Sequence, residues 1–306
     1  MFDTLALDLA SAGSEVFWFA FSLVVAVSLM IGSFLNVVIY RLPIMMQRQW
    51  QAEARYLLSG DTSGDEEQQT DTETNSDDEA TFNLAYPGSA CPHCHTSIKA
   101  WQNMPVLSYL LLKGKCGHCQ APISPRYPFV EAFTALLAAI AFFQYPVLIQ
   151  LLPLLLLTYC LVALTGIDFD HQLLPDSITL PLLWLGLALN TGGVFTDLSS
   201  AVWGAIGGYG VLWLVYWAFK LITGKEGMGY GDFKLMGALG AWFGWQVLPN
   251  VILLSSVVGA ILGIALIVLR GRDSQQPLPF GPFIAIAGWL TVMFPGTLTV
   301  SQYLHS

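Results

Sequence analysis

Eight runs of about 17 to 25 residues, each holding at most one charged side chain, lie near 16–40, 129–145, 147–167, 178–195, 200–220, 233–249, 251–270 and 280–300. A segment that long and that apolar can cross hydrocarbon as a helix. In lipid it must be helical, because every backbone polar group has to find its partner within the segment. The runs on either side of Pro146 together make about 38 residues, too many for one crossing, so they are read as two. Charged residues are 11% of the chain, against about 25% in soluble domains. The expected fold is all-α and polytopic, with about eight transmembrane helices in a lipid bilayer.

The cations set the orientation. Arg41, Arg48, Arg55, Lys99, Lys113, Lys115 and Arg126 lie between the first two runs. Lys220, Lys225 and Lys234 flank one later connection, and Arg270 and Arg272 flank another. With the N-terminus outside and eight spans, every one falls in or beside a cytoplasmic loop, as the positive-inside rule requires. Both termini are then periplasmic. The segment before the first run carries Asp3, Asp8 and Glu15 and no Lys or Arg, so it lacks the basic region of a cleaved signal and the first span is expected to be retained. Three parts follow: residues 1–40 as periplasmic N-terminus and first helix, 41–128 as a cytoplasmic loop, and 129–306 as a core of seven helices. Within the loop, "SGDTSGDEEQQTDTETNSDDEATFN" (59–83) is acidic with almost no apolar residue and is expected to be a disordered insertion rather than an acidic docking segment.

The same loop holds "CPHC" (Cys91, Cys94) and "CGHC" (Cys116, Cys119), two C-x2-C pairs 21 residues apart. That spacing suits one zinc ion on four thiolates, and a reducing cytoplasm disfavours disulfides. Four thiolates close a tetrahedral sphere, so the role is structural rather than catalytic. His93, His95 and His118 are read as surface residues beside the site, and Cys160 as a small buried residue in a span.

Carboxylates at membrane depth are costly and mark functional sites. Asp168 and Asp170 sit at the cytoplasmic end of the third span and Asp176 precedes the fourth; Asp232 opens the sixth after three alternate glycines, Gly227, Gly229 and Gly231. Asp176 is expected to cap the fourth span, and a capping role is open to Asp232 as well. Capping does not account for the glycines, whose missing side chains suit the close approach of another backbone. Peptide hydrolysis by carboxylates takes two that share a proton, one serving as base and the other as acid. Asp168 and Asp170 both qualify as partner to Asp232. The residues alone favour an aspartyl protease over a transporter relay, and leave both open. No P-loop, G-x-S-x-G or H-E-x-x-H is present, and no nucleic-acid partner is expected.

The order of motifs is more specific than any one of them. "GSFLNVVIYRLP" (32–43), the tetracysteine loop with "WQNMPVLSYLLLKGKCGHC" (101–119), "SPRYPFVE" (124–131), "IDFDHQLLPDSITLPL" (167–182), "GKEGMGYGDFKLMGALGAWFGW" (224–245) and "PFGPFIAIAG" (279–288) together resemble the type IV prepilin peptidases. The resemblance implies a GxGD-type intramembrane aspartyl protease with Asp168 and Asp232 as its catalytic pair. It further implies that the substrates are prepilins and pseudopilins, cut after glycine at the cytoplasmic face of a bacterial inner membrane. The new N-terminal residue, usually phenylalanine, is then methylated with S-adenosylmethionine, in the service of type IV pili or type II secretion. The acidic insertion is not part of the family pattern. By the same resemblance the cysteine loop is the place to seek the cofactor. Glu131 is expected to pair with Arg126 as an ordinary interfacial residue, contact with a cofactor amine being the alternative.

Overall fold

A computed structural model describes residues 8–9, 11, 13–59, 82–270 and 279–295. Residues 60–81 of the acidic insertion, most of the connection at 271–279, and both ends of the chain lie outside the described residues, and with them the expectations for those segments.

The described residues form no strands beyond isolated bridges. Their α-helices are α1 (Ser14–Ser59), α2 (Leu107–Leu111), α3 (Arg126–Gln144), α4 (Leu148–His171), α5 (Asp176–Asn190), α6 (Leu198–Thr223), α7 (Tyr230–Phe243), α8 (Leu248–Arg270) and α9 (Gly281–Met293). Apart from α2, each coincides with one apolar run. Five helical segments are long and apolar enough to cross a membrane: α1, α3, α4, α6 and the stretch Trp245–Ala265 that includes most of α8. The three others are shorter. At 1.5 Å per residue α7 is about 21 Å long, less than the hydrocarbon thickness of about 30 Å.

Two boundaries differ from expectation. The first helix does not stop near residue 40 but runs through Pro43 to Ser59, so the segment expected to be cytoplasmic loop begins as helix. The run at 233–249 is broken at Gly244, which takes φ +83° and leads through a 3-10 turn at Trp245–Val247 into α8.

The two shortest of these apolar helices, α7 and α9, are the most buried. Nearly every side chain of α7 after Gly231 is inside the molecule, from Asp232 to Trp242, and α9 is buried along most of its length. A helix apolar on all sides belongs in the centre of a bundle. The seam between α6 and α7 is backbone on backbone: a Cβ on Gly204 would strike the Gly240 carbonyl, and one on Gly208 would lie 2.5 Å from the Met236 carbonyl oxygen. Small residues four apart permit this approach. Gly204 and Gly208 therefore pack within the chain.

The two ends of the bundle differ in chemistry. At one end Asn190 donates to the carbonyls of Ala241 and Trp242 and accepts from the amides of Phe195 and Thr196, so its buried amide makes four hydrogen bonds. The other end, where α4 and α6 finish and α3, α5, α7 and α9 begin, holds every ion pair found among the described residues: Arg126 with Asp170, Lys220 with Glu226, and Lys234 with Asp176.

Candidate active site and cysteine cluster

Asp168 and Asp232 both lie at that charged end, 5% exposed each. They reach it from different helices. Asp168 sits on the last turn of α4, which closes when Gln172 adopts the left-handed conformation and donates its N–H to the Asp168 carbonyl at 2.9 Å. Asp232 sits on the first turn of α7, where its Oδ2 accepts the N–H of Gly229 at 3.1 Å. Its side chain thus reaches back to satisfy an orphan amide ahead of the helix.

Asp168 has an anchor of the same kind. Its Oδ2 accepts the N–H of Gly281, the first residue of α9, at 3.0 Å. As the first residue of α9, Gly281 has an N–H with no acceptor inside the helix, and Asp168 supplies one. Each carboxylate is therefore held by a glycine amide at the start of a buried helix. Both carboxylates line one cavity of about 280 Å³, together with Gln172, Leu174, Gly229, Gly231 and Phe280.

The three alternate glycines are not one device. A Cβ on Gly231 would lie 2.6 Å from the Leu174 Cβ, and one on Gly227 would lie 2.9 Å from the Phe219 ring. Both are needed for packing within the chain. Only Gly229 faces room, with Asp232 Oδ2 its nearest neighbour at 3.8 Å. The close backbone approach expected for all three is left to Gly229.

Three other acidic residues have partners of their own, and for Asp176 and Glu131 these differ from the sequence reading. Asp176 is not a cap: Pro175 precedes α5, and the Asp176 carboxylate takes Lys234 Nζ at 2.6 and 2.7 Å. Asp170 is not among the residues lining the cavity and forms a two-pronged pair with Arg126, at 2.6 and 2.9 Å. Arg126 is thus not the partner of Glu131. Glu131 is 7% exposed and accepts the N–H of Val106 at 2.8 Å, joining α3 to the cysteine loop. Val106 carries φ +57°, unusual for a β-branched residue. Beside the cavity, hydrogen bonding to Lys220 holds the Glu226 carboxyl below its ordinary range.

The cysteine loop is built from two like turns. Cys91 N–H donates to Thr96 at 3.0 Å, and Cys116 N–H donates to Ala121 at 2.8 Å. His95 and Gln120, each following the second cysteine of its pair, take φ +55° and +59°. The sulfurs of Cys91, Cys94, Cys116 and Cys119 all lie within 4.8 Å of one another, with Cys91 and Cys119 at 3.8 Å. Zinc–sulfur bonds of about 2.3 Å at tetrahedral angles separate the sulfurs by about 3.8 Å, so the four thiols suit a metal ion. His93, His95 and His118 are outside the group.

Sequence reasoning missed Gly281, Leu174 and the partner of Glu131. A signal for Gly281 existed, since a glycine before proline at the head of an apolar run marks an unsatisfied amide.

A helical membrane protein with a carboxylate pair at one end of its bundle and a four-thiol cluster in its loop defines a narrow class. Residues 26–145 match the bacterial peptidase A24 N-terminal domain, and residues 155–264 match the type IV leader peptidase family. The chain belongs to the type IV leader peptidase family. It is 56% identical over 282 residues to a prepilin leader peptidase/N-methyltransferase of Aeromonas hydrophila, covering 92% of this chain and 93% of the relative. Relatives of the same name in Pseudomonas aeruginosa and Legionella pneumophila are 52% and 44% identical, over 275 and 287 residues; they align with 90% and 94% of this chain and with 90% and 95% of their own length. No solved structure matches the chain.

Proposed function

We propose that the chain removes the basic leader of prepilins and pseudopilins by cleavage after glycine, and then methylates the new N-terminal residue, usually phenylalanine. The observation that carries the reading is the meeting of Asp168 and Asp232 in one cavity, each held by a glycine amide. The names of the relatives support both activities.

The two carboxyls share one proton, since like charges at one site do not readily coexist. The ionised member takes a proton from water, whose oxygen attacks the scissile carbonyl. The protonated member donates to the carbonyl oxygen, giving a gem-diol. On collapse the carbon–nitrogen bond breaks and the amine leaves with a proton. Each aspartate is anchored through one oxygen, which leaves the other for this work.

The orientation has both termini in the periplasm and the cavity at the cytoplasmic face of a bacterial inner membrane. The place of Arg126, Lys220 and Lys234 at the cavity end supports it. A basic leader stays on that face by the same rule, so its junction arrives at the depth of the pair. Four thiolates would hold zinc and fix the loop 91–119; the ion would supply structure rather than chemistry. S-adenosylmethionine would supply the methyl group to the freed amine. The substrates place the enzyme in type IV pilus assembly or type II secretion.

The test is product mass from a synthetic prepilin peptide with a basic leader, a Gly–Phe junction and an apolar helix, using enzyme in detergent or lipid. Wild type yields a cut after glycine and one added methyl with S-adenosylmethionine. Asp168→Asn and Asp232→Asn yield no cut, whereas Asp170→Asn still cuts. Cleavage retained by Asp168→Asn or Asp232→Asn defeats the dyad.

A further inference from the structure

Leu174 belongs to neither α4 nor α7, yet it stands against the anchor of Asp168 and the chain neighbour of Asp232. It lies in the short strap between α4 and α5 and is buried. Its side chain spans two helix starts. A Cβ on Gly231, the neighbour of Asp232, would lie 2.6 Å from Leu174 Cβ. A Cβ on Gly281, the donor to Asp168, would lie 3.0 Å from Leu174 Cδ1. The strap that presents it is fixed at both ends, Asp170 by Arg126 and Asp176 by Lys234. Leu174 is therefore a held wall of the cavity, and not a side chain on a free loop.

In a two-carboxylate cleavage, the residue whose carbonyl is attacked is the one held nearest to both carboxylates. Leu174 lines the cavity that Asp168 and Asp232 share, and it is backed by Gly231 and Gly281, so it cannot recede from a side chain at that substrate position. We propose that Leu174 is the specificity-determining residue that restricts the position before the cut bond to glycine. The inference rests on the dyad reading above. A methyl group at that substrate position meets the isobutyl side chain of Leu174, and shortening Leu174 makes room for it. One methylene in an apolar pocket is worth about 10- to 200-fold in selection, which sets the scale of the effect.

Two peptides, one with Gly and one with Ala before the junction, are compared by kcat/KM with wild type, Leu174→Val and Leu174→Ala in detergent. The expected result is an Ala-to-Gly ratio that rises at least about 10-fold in Leu174→Ala and less in Leu174→Val. Because both peptides meet the same preparation, partial loss of folded enzyme cancels from the ratio. A third peptide, altered only after the junction from Phe to Leu, controls for general loosening, and its ratio to the Gly peptide stays as in wild type. An unchanged Ala-to-Gly ratio with the Gly peptide still cut overturns the role of Leu174 and spares the dyad. A rise shared equally by the third peptide also overturns it, as does loss of all cleavage in both folded variants. Wild type that cuts no peptide defeats the proposed function itself.

Discussion

The amide of Gly281 donates to Asp168 Oδ2 at 3.0 Å, and a Cβ on that glycine would lie 2.7 Å from the same oxygen. The first residue of the last buried helix thus both holds the carboxylate and leaves the space it occupies. Gly281→Ala pushes Asp168 off its anchor. Displacements near 1 Å at a reacting group cost about 100-fold, and a fall of that order in kcat for leader cleavage is expected. Thermal unfolding in detergent is expected to move little. A variant as fast as wild type would falsify the anchoring role.

Arg126 and Asp170 make a two-pronged ion pair at the site end, but both side chains are partly in solvent. Such pairs contribute about 0.2–1 kcal/mol. Asp170→Asn and Arg126→Ala are therefore expected to lower stability by no more than that, with cleavage reduced a few-fold at most. Asp170→Asn as damaging as Asp168→Asn in the peptide assay would mean that the acidic partner of Asp232 has been misassigned.

Glu131 ties α3 to the cysteine loop through Val106. Removing the carboxylate leaves a strained backbone N–H without its acceptor, a loss of about 1–3 kcal/mol. Glu131→Ala is expected to release residues 99–112, seen as faster hydrogen exchange and proteolytic nicking there. Glu131→Gln retains an acceptor and is expected to behave like wild type. Equal exchange in all three proteins removes Glu131 from the docking of the loop.

The four thiols point to a chelator experiment. Zinc measured by atomic absorption is expected at one per chain, and lost in Cys91→Ser. After its removal the loop 91–119 becomes protease-sensitive and methylation falls, whereas leader cleavage by the bundle persists. Cleavage lost in parallel with the metal would make the loop part of the peptidase rather than an appendage.

Much of this architecture was legible because the signals are local. Apolar runs mark the long helices, and the repeated C-x2-C brings four sulfurs together through two short turns. Asp168 and Asp232 stand out because a carboxylate beside an apolar run is costly wherever the run ends up. What could not be read was pairing. Arg126 lies five residues from Glu131 and looks like its partner, yet the approach of α4 to α3 gives it Asp170. Asp176 precedes a helix and resembles a cap, yet α7 brings Lys234 to it. Pro43 looks like a stop, but its missing donor costs one helical bond and α1 continues through it. Leu174 carries no chemical signal at all; its place is set by glycines on two other helices.

The backbone contact between Gly204 and Gly240 has a consequence for traffic. No side chain stands between α6 and α7 there, so no rotamer change can open a gap between them. At that level the two helices form a closed joint, and a guest arriving sideways from the lipid cannot slip through it. Nearer Asp232 the same helices meet through side chains, Tyr209 and Tyr216 against Phe233, so whatever can yield in this seam lies at the aspartate's end and not at the glycines.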